Sequence, residues 1–185
     1  MSRLGRWAVA IGRRWPTLLA LVVSAATWAG GGSDESVIGV GQVLPQLPLL
    51  YLIVCKIHRP RASWPVLIAG IAATFVLRAV DIIDPATLAV AIALIVLVWA
   101  AVDGQLRADG LLRIQAIGMI GFGALALTGL ALEPDVGRYL IAAGWLLHGV
   151  WDLVHLWRGK VVVRSYAEWC GVVDILIAGQ LLFLR

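Results

Sequence analysis

The sequence predicts an all-α integral membrane protein, a compact bundle of about seven transmembrane helices. Of its 185 residues, 61% are hydrophobic and only 14% are charged, whereas soluble domains carry about 25% charged residues. The apolar residues stand in long runs, each close to the roughly 20 residues that a helix needs to cross a bilayer. Because no long polar segment remains, we expect 1–185 to form a single polytopic membrane domain.

Seven apolar runs are long enough to be candidate spans. They occupy residues 16–32, 36–56, 63–83, 85–103, 111–132, 138–157 and 166–184. The basic segment 1–15 is expected to precede the bundle, either lying along the inner membrane surface or forming a basic tail. The first run follows Arg13 and Arg14, so it is either an uncleaved span or a signal peptide, whose removal would leave six helices.

Loop charges predict the orientation. The segments placed inside by a cytoplasmic amino terminus carry Arg3, Arg6, Arg13, Arg14, Lys56, Arg59, Arg61, Arg107, Arg113, Arg158, Lys160 and Arg164. The outer segments carry only Arg138 and Arg185. The positive-inside rule therefore predicts a protein of the cytoplasmic (inner) membrane with its amino terminus in the cytoplasm and its carboxyl terminus outside. This placement also argues against nucleic acid as a partner and leaves membrane lipids as the expected one.

Two prolines interrupt the second predicted span. Pro45 and Pro48 each remove a backbone donor from the helix, and Gln42 and Gln46 lie beside them. A kinked helix with a polar side is expected, because the freed carbonyls need partners. This feature either accommodates packing or contributes to a cavity.

The sixth span carries a stripe of ionisable side chains. His148, Asp152 and His155 stand at positions i, i+4 and i+7, so they share one helix face. Because such groups are costly against lipid, the stripe must face the interior of the bundle. The seventh span adds Cys170 and Asp174, which are four residues apart and also share a face.

A short loop joins the sixth and seventh spans, which therefore form an antiparallel hairpin. Counting about 1.5 Å per residue from that loop places Asp152 level with Cys170, and His148 level with Asp174. The expected result is a polar pocket in the half of the membrane that faces the cytoplasm.

One interpretation of this pocket is a metal site. Imidazole and carboxylate groups are normal zinc ligands, and His148, Asp152 and Asp174 could converge on one ion. Water activated by the ion would attack an ester or amide of a lipid, which makes the protein a metal-dependent lipid hydrolase. His155 and Cys170 are then the candidate catalytic residues.

Three other interpretations remain open on the sequence. Hydrogen bonds from His148 to Asp174 and from His155 to Glu168 could lock the hairpin without any ligand. The same groups could form a pathway for protons, ions or a small molecule. A haem is disfavoured, because its two axial ligands must come from opposite sides, whereas both histidines share one helix face.

Seven helices with intramembrane histidines and aspartates resemble the superfamily of alkaline ceramidases and adiponectin-type receptors. Members of that group are zinc-dependent membrane hydrolases with an H-x3-H pair on the last helix. The corresponding spacing here is His148-x3-Asp152, on the sixth span. The resemblance implies zinc and hydrolysis, but it rests on topology and residue type, since the last span of this chain has no histidine.

Overall fold

The computed structural model describes residues 12, 14–28 and 33–183, and within them the regular secondary structure is helical. The α-helices are α1 (Trp15–Trp28), α2 (Asp34–Val43), α3 (Gln46–Lys56), α4 (Ser63–Val80), α5 (Pro85–Val102), α6 (Gln105–Ala108), α7 (Gly110–Ala131), α8 (Pro134–Arg158) and α9 (Arg164–Phe183). A 3₁₀ turn, Pro60–Ala62, leads into α4. The predicted basic segment 1–15 lies almost wholly outside the described residues.

Within the residues that the structure describes, six helical segments are long and apolar enough to cross a membrane. They are Asp34–Lys56, Pro60–Val80, Pro85–Val102, Gly110–Ala131, Pro134–Arg158 and Arg164–Phe183, and each overlaps one of the predicted runs. The first predicted span, 16–32, is represented by α1, which is apolar but has only 14 residues. The protein is therefore a multi-pass helical bundle of membrane type.

Short polar residues explain where several helices begin and end. Asp84 caps α5, since its side chain accepts hydrogen bonds from the backbone of Ala86 and Thr87. Asp109 caps α7 in the same way. A carboxylate at this position satisfies backbone donors that have no partner within the helix. Gly159 ends α8 in a left-handed conformation, with φ of 62°, which glycine adopts without steric cost.

The span in which the sequence predicts a proline kink is interrupted as a regular helix next to the first of its two prolines. The span divides into α2 and α3 at Leu44 and Pro45. Gln42 donates to Asp84, and Gln46 donates to Thr74 Oγ1 over 2.5 Å. The two glutamines therefore satisfy polar groups on and next to α4 and α5, away from the stripe on α8.

The buried centre of the bundle lies around α3, α8 and α9. α9 packs against α8 and α1, while α3 packs against α7 and α5. In contrast, α4 stands at the edge: only 11% of its span is buried, compared with 61% of the spans that contain α3 and α9. The loosely packed α4 leaves a groove beside α3.

Candidate functional site

The stripe on α8 faces the interior, as predicted. His148 and Asp152 have no exposed surface, and His155 is 6% exposed. Cys170 and Asp174 on α9 are also completely buried. The hairpin of α8 and α9 thus places four ionisable groups, His148, Asp152, Cys170 and Asp174, inside the bundle, and we call them the ligand group.

Short distances join the members of the ligand group. His148 Nδ1 lies 2.7 Å from Asp174 Oδ2 and 3.4 Å from Asp152 Oδ2. Cys170 Sγ lies 3.8 Å from Asp174 Oδ1. One ligand atom from each of the four residues lies within 4.8 Å of all the others. Imidazole, carboxylate and thiol groups are the protein ligands of zinc, so this group could hold a metal ion.

Two glycines allow α8 and α9 to approach closely at the ligand group. A Cβ atom on Gly149 would lie 3.2 Å from the Cβ of Asp174, and one on Gly171 would lie 3.2 Å from the Cβ of Asp152. Both distances are tighter than ordinary van der Waals contacts between carbons. The glycines thus set the helix separation that brings the two aspartates together.

Two tyrosines at the site were not predicted from the sequence. Tyr51 on α3 is completely buried and donates a hydrogen bond to Asp152 Oδ1. The hydroxyl of Tyr166 on α9 lies 3.5 Å from Cys170 Sγ and accepts its hydrogen bond. A signal was present, because a tyrosine inside an apolar span needs a partner for its hydroxyl.

The ligand group contains polar atoms that the described protein leaves without a hydrogen-bond partner. These atoms are His148 Nε2 and Asp152 Oδ2, and both are buried. Asp152 Oδ2 lies 3.4 Å from His148 Nδ1, which makes an ion-pair contact but not a hydrogen bond. Buried polar atoms usually have a partner, and a cation is one partner that this group could take. Among the described residues, Trp151 Nε1 and Gln115 Oε1 also lack a hydrogen-bond partner, so the feature is not confined to the ligand group.

His155 lies apart from the ligand group. Its Nδ1 lies 2.9 Å from the carbonyl oxygen of Trp151, and its Nε2 lies 3.2 Å from Gln115 Nε2. A proton on Nδ1 satisfies both contacts, because Nε2 then accepts from the amide. The predicted bond between His155 and Glu168 is wrong: Glu168 accepts instead from Thr17 Oγ1 at 2.6 Å.

An apolar groove runs between α3, α4 and α5 and reaches the neighbourhood of the ligand group. Its cavity measures about 320 Å³. Most of its lining is aliphatic, with Gln46 and Thr74 on its wall, and Tyr166 also borders it. Tyr166 therefore contacts both the groove and Cys170.

No protein-family model matches the chain, and no curated protein or solved structure matches it either. The convergence of His148, Asp152 and Asp174 agrees with the sequence prediction. Their assignment as metal ligands stays a prediction, as does the catalytic role of His155 and Cys170. The geometry adds that Cys170 lies among the three, so its sulfur would be within reach of any ion that they held.

Proposed function

We propose that the chain is a seven-helix protein of the cytoplasmic membrane, with its amino terminus in the cytoplasm, and that it is a zinc-dependent lipid hydrolase. The observation that carries this proposal is the convergence of four buried ligand atoms within 4.8 Å. His148, Asp152 and Asp174 hold the ion, and the substrate is an ester or amide of a membrane lipid.

The packing of α1 supports a seventh crossing. Thr17 donates to Glu168 near the start of α9, and Gln180 near its end donates to the carbonyl of Thr27. The two helices therefore run side by side in the same direction. In a bundle of seven alternating spans the first and the last cross in the same direction, so α1 fits as the first span.

Charge supports a bound cation. Asp152 and Asp174 bring two carboxylates into a site with no exposed surface, and among the described residues only the imidazole of His148 contacts them as a basic group. Uncompensated charge is expensive inside a bilayer protein. Either a proton or a metal cation must complete the balance, and the mixed N, O and S ligand set favours zinc.

The groove supports a lipid substrate. Its aliphatic lining suits an acyl chain, and Tyr166 borders it, with its hydroxyl in contact with Cys170. A chain in the groove would bring the adjoining ester or amide to Tyr166, the residue that lies next to the ligand group. Zinc bound there supplies Lewis acidity, which activates water for attack on a carbonyl.

Hydrolysis can be tested with the full chain in detergent, using lipids that carry a fluorescent acyl group in ester or amide linkage. We expect fatty acid release that stops on removal of metal by a chelator and returns with zinc. Asp174→Asn should abolish release, whereas Asp135→Asn, at an exposed aspartate of α8, should retain it. A zinc-loaded protein that releases no fatty acid from either class would contradict the hydrolase.

Complete burial favours one second candidate, a zinc ion that only fastens α8 to α9. Structural zinc sites use four protein ligands, whereas catalytic sites keep one position open. If Cys170 is the fourth ligand, X-ray absorption will detect one sulfur at about 2.3 Å from zinc. Bound zinc with a sulfur ligand and no hydrolysis would establish this candidate, and a shell of N and O ligands alone would exclude it.

A further inference from the structure

Two loops at the same end of the bundle are fixed to each other. The first, residues 57–62, joins α3 to α4, and the second, residues 159–163, joins α8 to α9. Ser63 is completely buried between them: its hydroxyl donates to the carbonyl of Pro60 at 2.6 Å and accepts from the backbone N–H of Val163 at 3.3 Å. Trp64 Nε1 adds a bond of 3.1 Å to Ser165.

The two joined loops line a depression that is open to solvent and has a volume of about 940 Å³. Its polar lining is basic, contributed by His58, Arg59, Arg61 and Arg164. No carboxylate belongs to the described residues that line it. We call this surface the basic depression.

The three arginines of the basic depression are exposed. Across the described residues, no hydrogen bond or ion pair engages their guanidinium groups. Other basic groups of the bundle behave differently, since Arg14 pairs with Glu168 and Lys56 pairs with Asp103. The fold therefore neutralises some of its cations internally and leaves this cluster available to an anion.

The loop backbone holds the cluster in a defined shape. His58 adopts a left-handed conformation with φ of 53°, which is uncommon for a residue other than glycine. Backbone hydrogen bonds from His58 to Cys55 and from Arg59 to Val54 fix this turn. Together with the Ser63 bridge, they fix the backbone of the two loops that carry Arg59 and Arg164, so binding does not have to order the loops.

The position of the depression identifies the anion. It lies where two apolar helices, α3 and α8, end and two others, α4 and α9, begin. In a membrane-spanning bundle such helix termini lie at the level of the lipid headgroups. Trp157, at 83% exposure, lies at the same end of α8, as interfacial tryptophans do. Guanidinium groups bind phosphate oxygens in bidentate fashion. We infer that the basic depression binds the phosphate headgroup of an anionic phospholipid.

The test is lipid binding by the full chain, measured by native mass spectrometry from detergent. Phosphatidylglycerol should bind in preference to phosphatidylcholine. Arg59→Gln with Arg164→Gln should weaken phosphatidylglycerol binding roughly 30-fold, since each basic group near an anionic headgroup contributes roughly a fivefold factor. Arg107→Gln with Arg113→Gln makes the same change in charge at exposed sites outside the depression and should leave binding unchanged.

Three outcomes would overturn the inference. If phosphatidylcholine bound as tightly as phosphatidylglycerol, the anionic headgroup would have no role in binding. If both double variants lost phosphatidylglycerol binding to the same extent, the attraction would be a diffuse effect of surface charge rather than binding at the basic depression. If inorganic phosphate displaced phosphatidylglycerol at a concentration similar to that of the lipid, the basic depression would be a site for a soluble anion. Because no arm depends on zinc, failure here is distinguishable from failure of the hydrolase.

Discussion

Tyr51 connects α3 to the ligand group through a single atom, its hydroxyl, which donates to Asp152. Hydrogen bonds of this kind orient a metal-ligating carboxylate. We therefore expect Tyr51→Phe to lower zinc affinity roughly 10–100-fold, the usual effect of losing such a partner. A competition titration with a zinc indicator measures it. Tyr139→Phe, at an exposed position of α8, is the matched control, and an equal affinity in both variants would contradict the role of Tyr51.

Lys56 and Asp103 form an ion pair beyond the end of α5. Lys56 is 3% exposed, and its ammonium lies 4.0 Å from the ring centroid of Trp99. The hydrogen bond from Lys56 holds the pKa of the Asp103 carboxyl below its ordinary value of 3.8. Because the pKa is lower in the folded state, the pair stabilises the fold above pH 3.8, and that stability is lost as pH falls through the lowered pKa.

Asp103→Asn should therefore lower the thermal midpoint near neutral pH, because it leaves the Lys56 ammonium buried without its partner. The difference from the wild-type midpoint should stay constant from about pH 5 to 8 and shrink below about pH 4. Thermal scans in detergent across this range measure it, with Asp135→Asn as the control. A difference in thermal midpoint that grows toward low pH would refute the stabilising role of the Lys56–Asp103 ion pair.

Single residues differ in how well the sequence predicts them. The convergence of His148, Asp152 and Asp174 follows from helical spacing and a short hairpin loop, both of which are local. Tyr51 reaches Asp152 across 101 positions of the chain, and no periodicity encodes such a contact. The same holds for Gln115, which contacts His155 from α7.

At the level of helices, the crossing of α8 and α9 depends on Gly149 and Gly171. Gly149→Ala should push α9 away, because the new Cβ would lie 3.1 Å from Ile175 and 3.2 Å from Asp174. Overpacking of this kind costs about 1–3 kcal/mol, so we expect a lower thermal midpoint together with weaker zinc binding. Differential scanning fluorimetry in detergent, with and without zinc, measures both.

Gly179→Ala, on the partner helix α9, is the control, since nothing lies within 4 Å of its added Cβ. Alanine favours helix over glycine by up to about 1 kcal/mol, so this variant should be neutral or slightly more stable. If Gly149→Ala had the same thermal midpoint and zinc binding as Gly179→Ala, the close approach of α8 and α9 would contribute to neither stability nor zinc binding.

Helix ends were predicted less well than helix cores. The apolar runs locate the six long segments, because the bilayer imposes their length and composition. The proline break between α2 and α3 also follows from local chemistry, since proline lacks a donor. Helix α6, a single turn in a loop, was not predicted. The sixth span was predicted to start at residue 138, whereas α8 begins at Pro134. Polar residues such as Asp135 lie within the first turn of α8. Because the span was predicted from its apolar residues, this polar first turn was left out of it.

For the whole molecule, the proposed orientation predicts which loops are accessible from outside. Glu133→Cys, before α8, should react with an impermeant thiol reagent in intact cells. Lys160→Cys, after α8, should react only once the membrane is permeabilised. The native cysteines, Cys55 and Cys170, are both buried, so background labelling should be low. The reverse pattern would invert the topology and place the ligand group in the outer half of the membrane.

The central proposal is one zinc ion in the ligand group, and elemental analysis of the purified full chain tests it most directly. We expect about one zinc per chain in the wild type. The metal should be absent from His148→Ala and Asp152→Asn and present in His58→Ala and Asp135→Asn, which alter the same residue types at exposed positions. Monodisperse elution and unchanged helical circular dichroism would establish that the variants fold. A folded wild type without metal, or zinc that persists when His148 and Asp152 are replaced, would contradict the site.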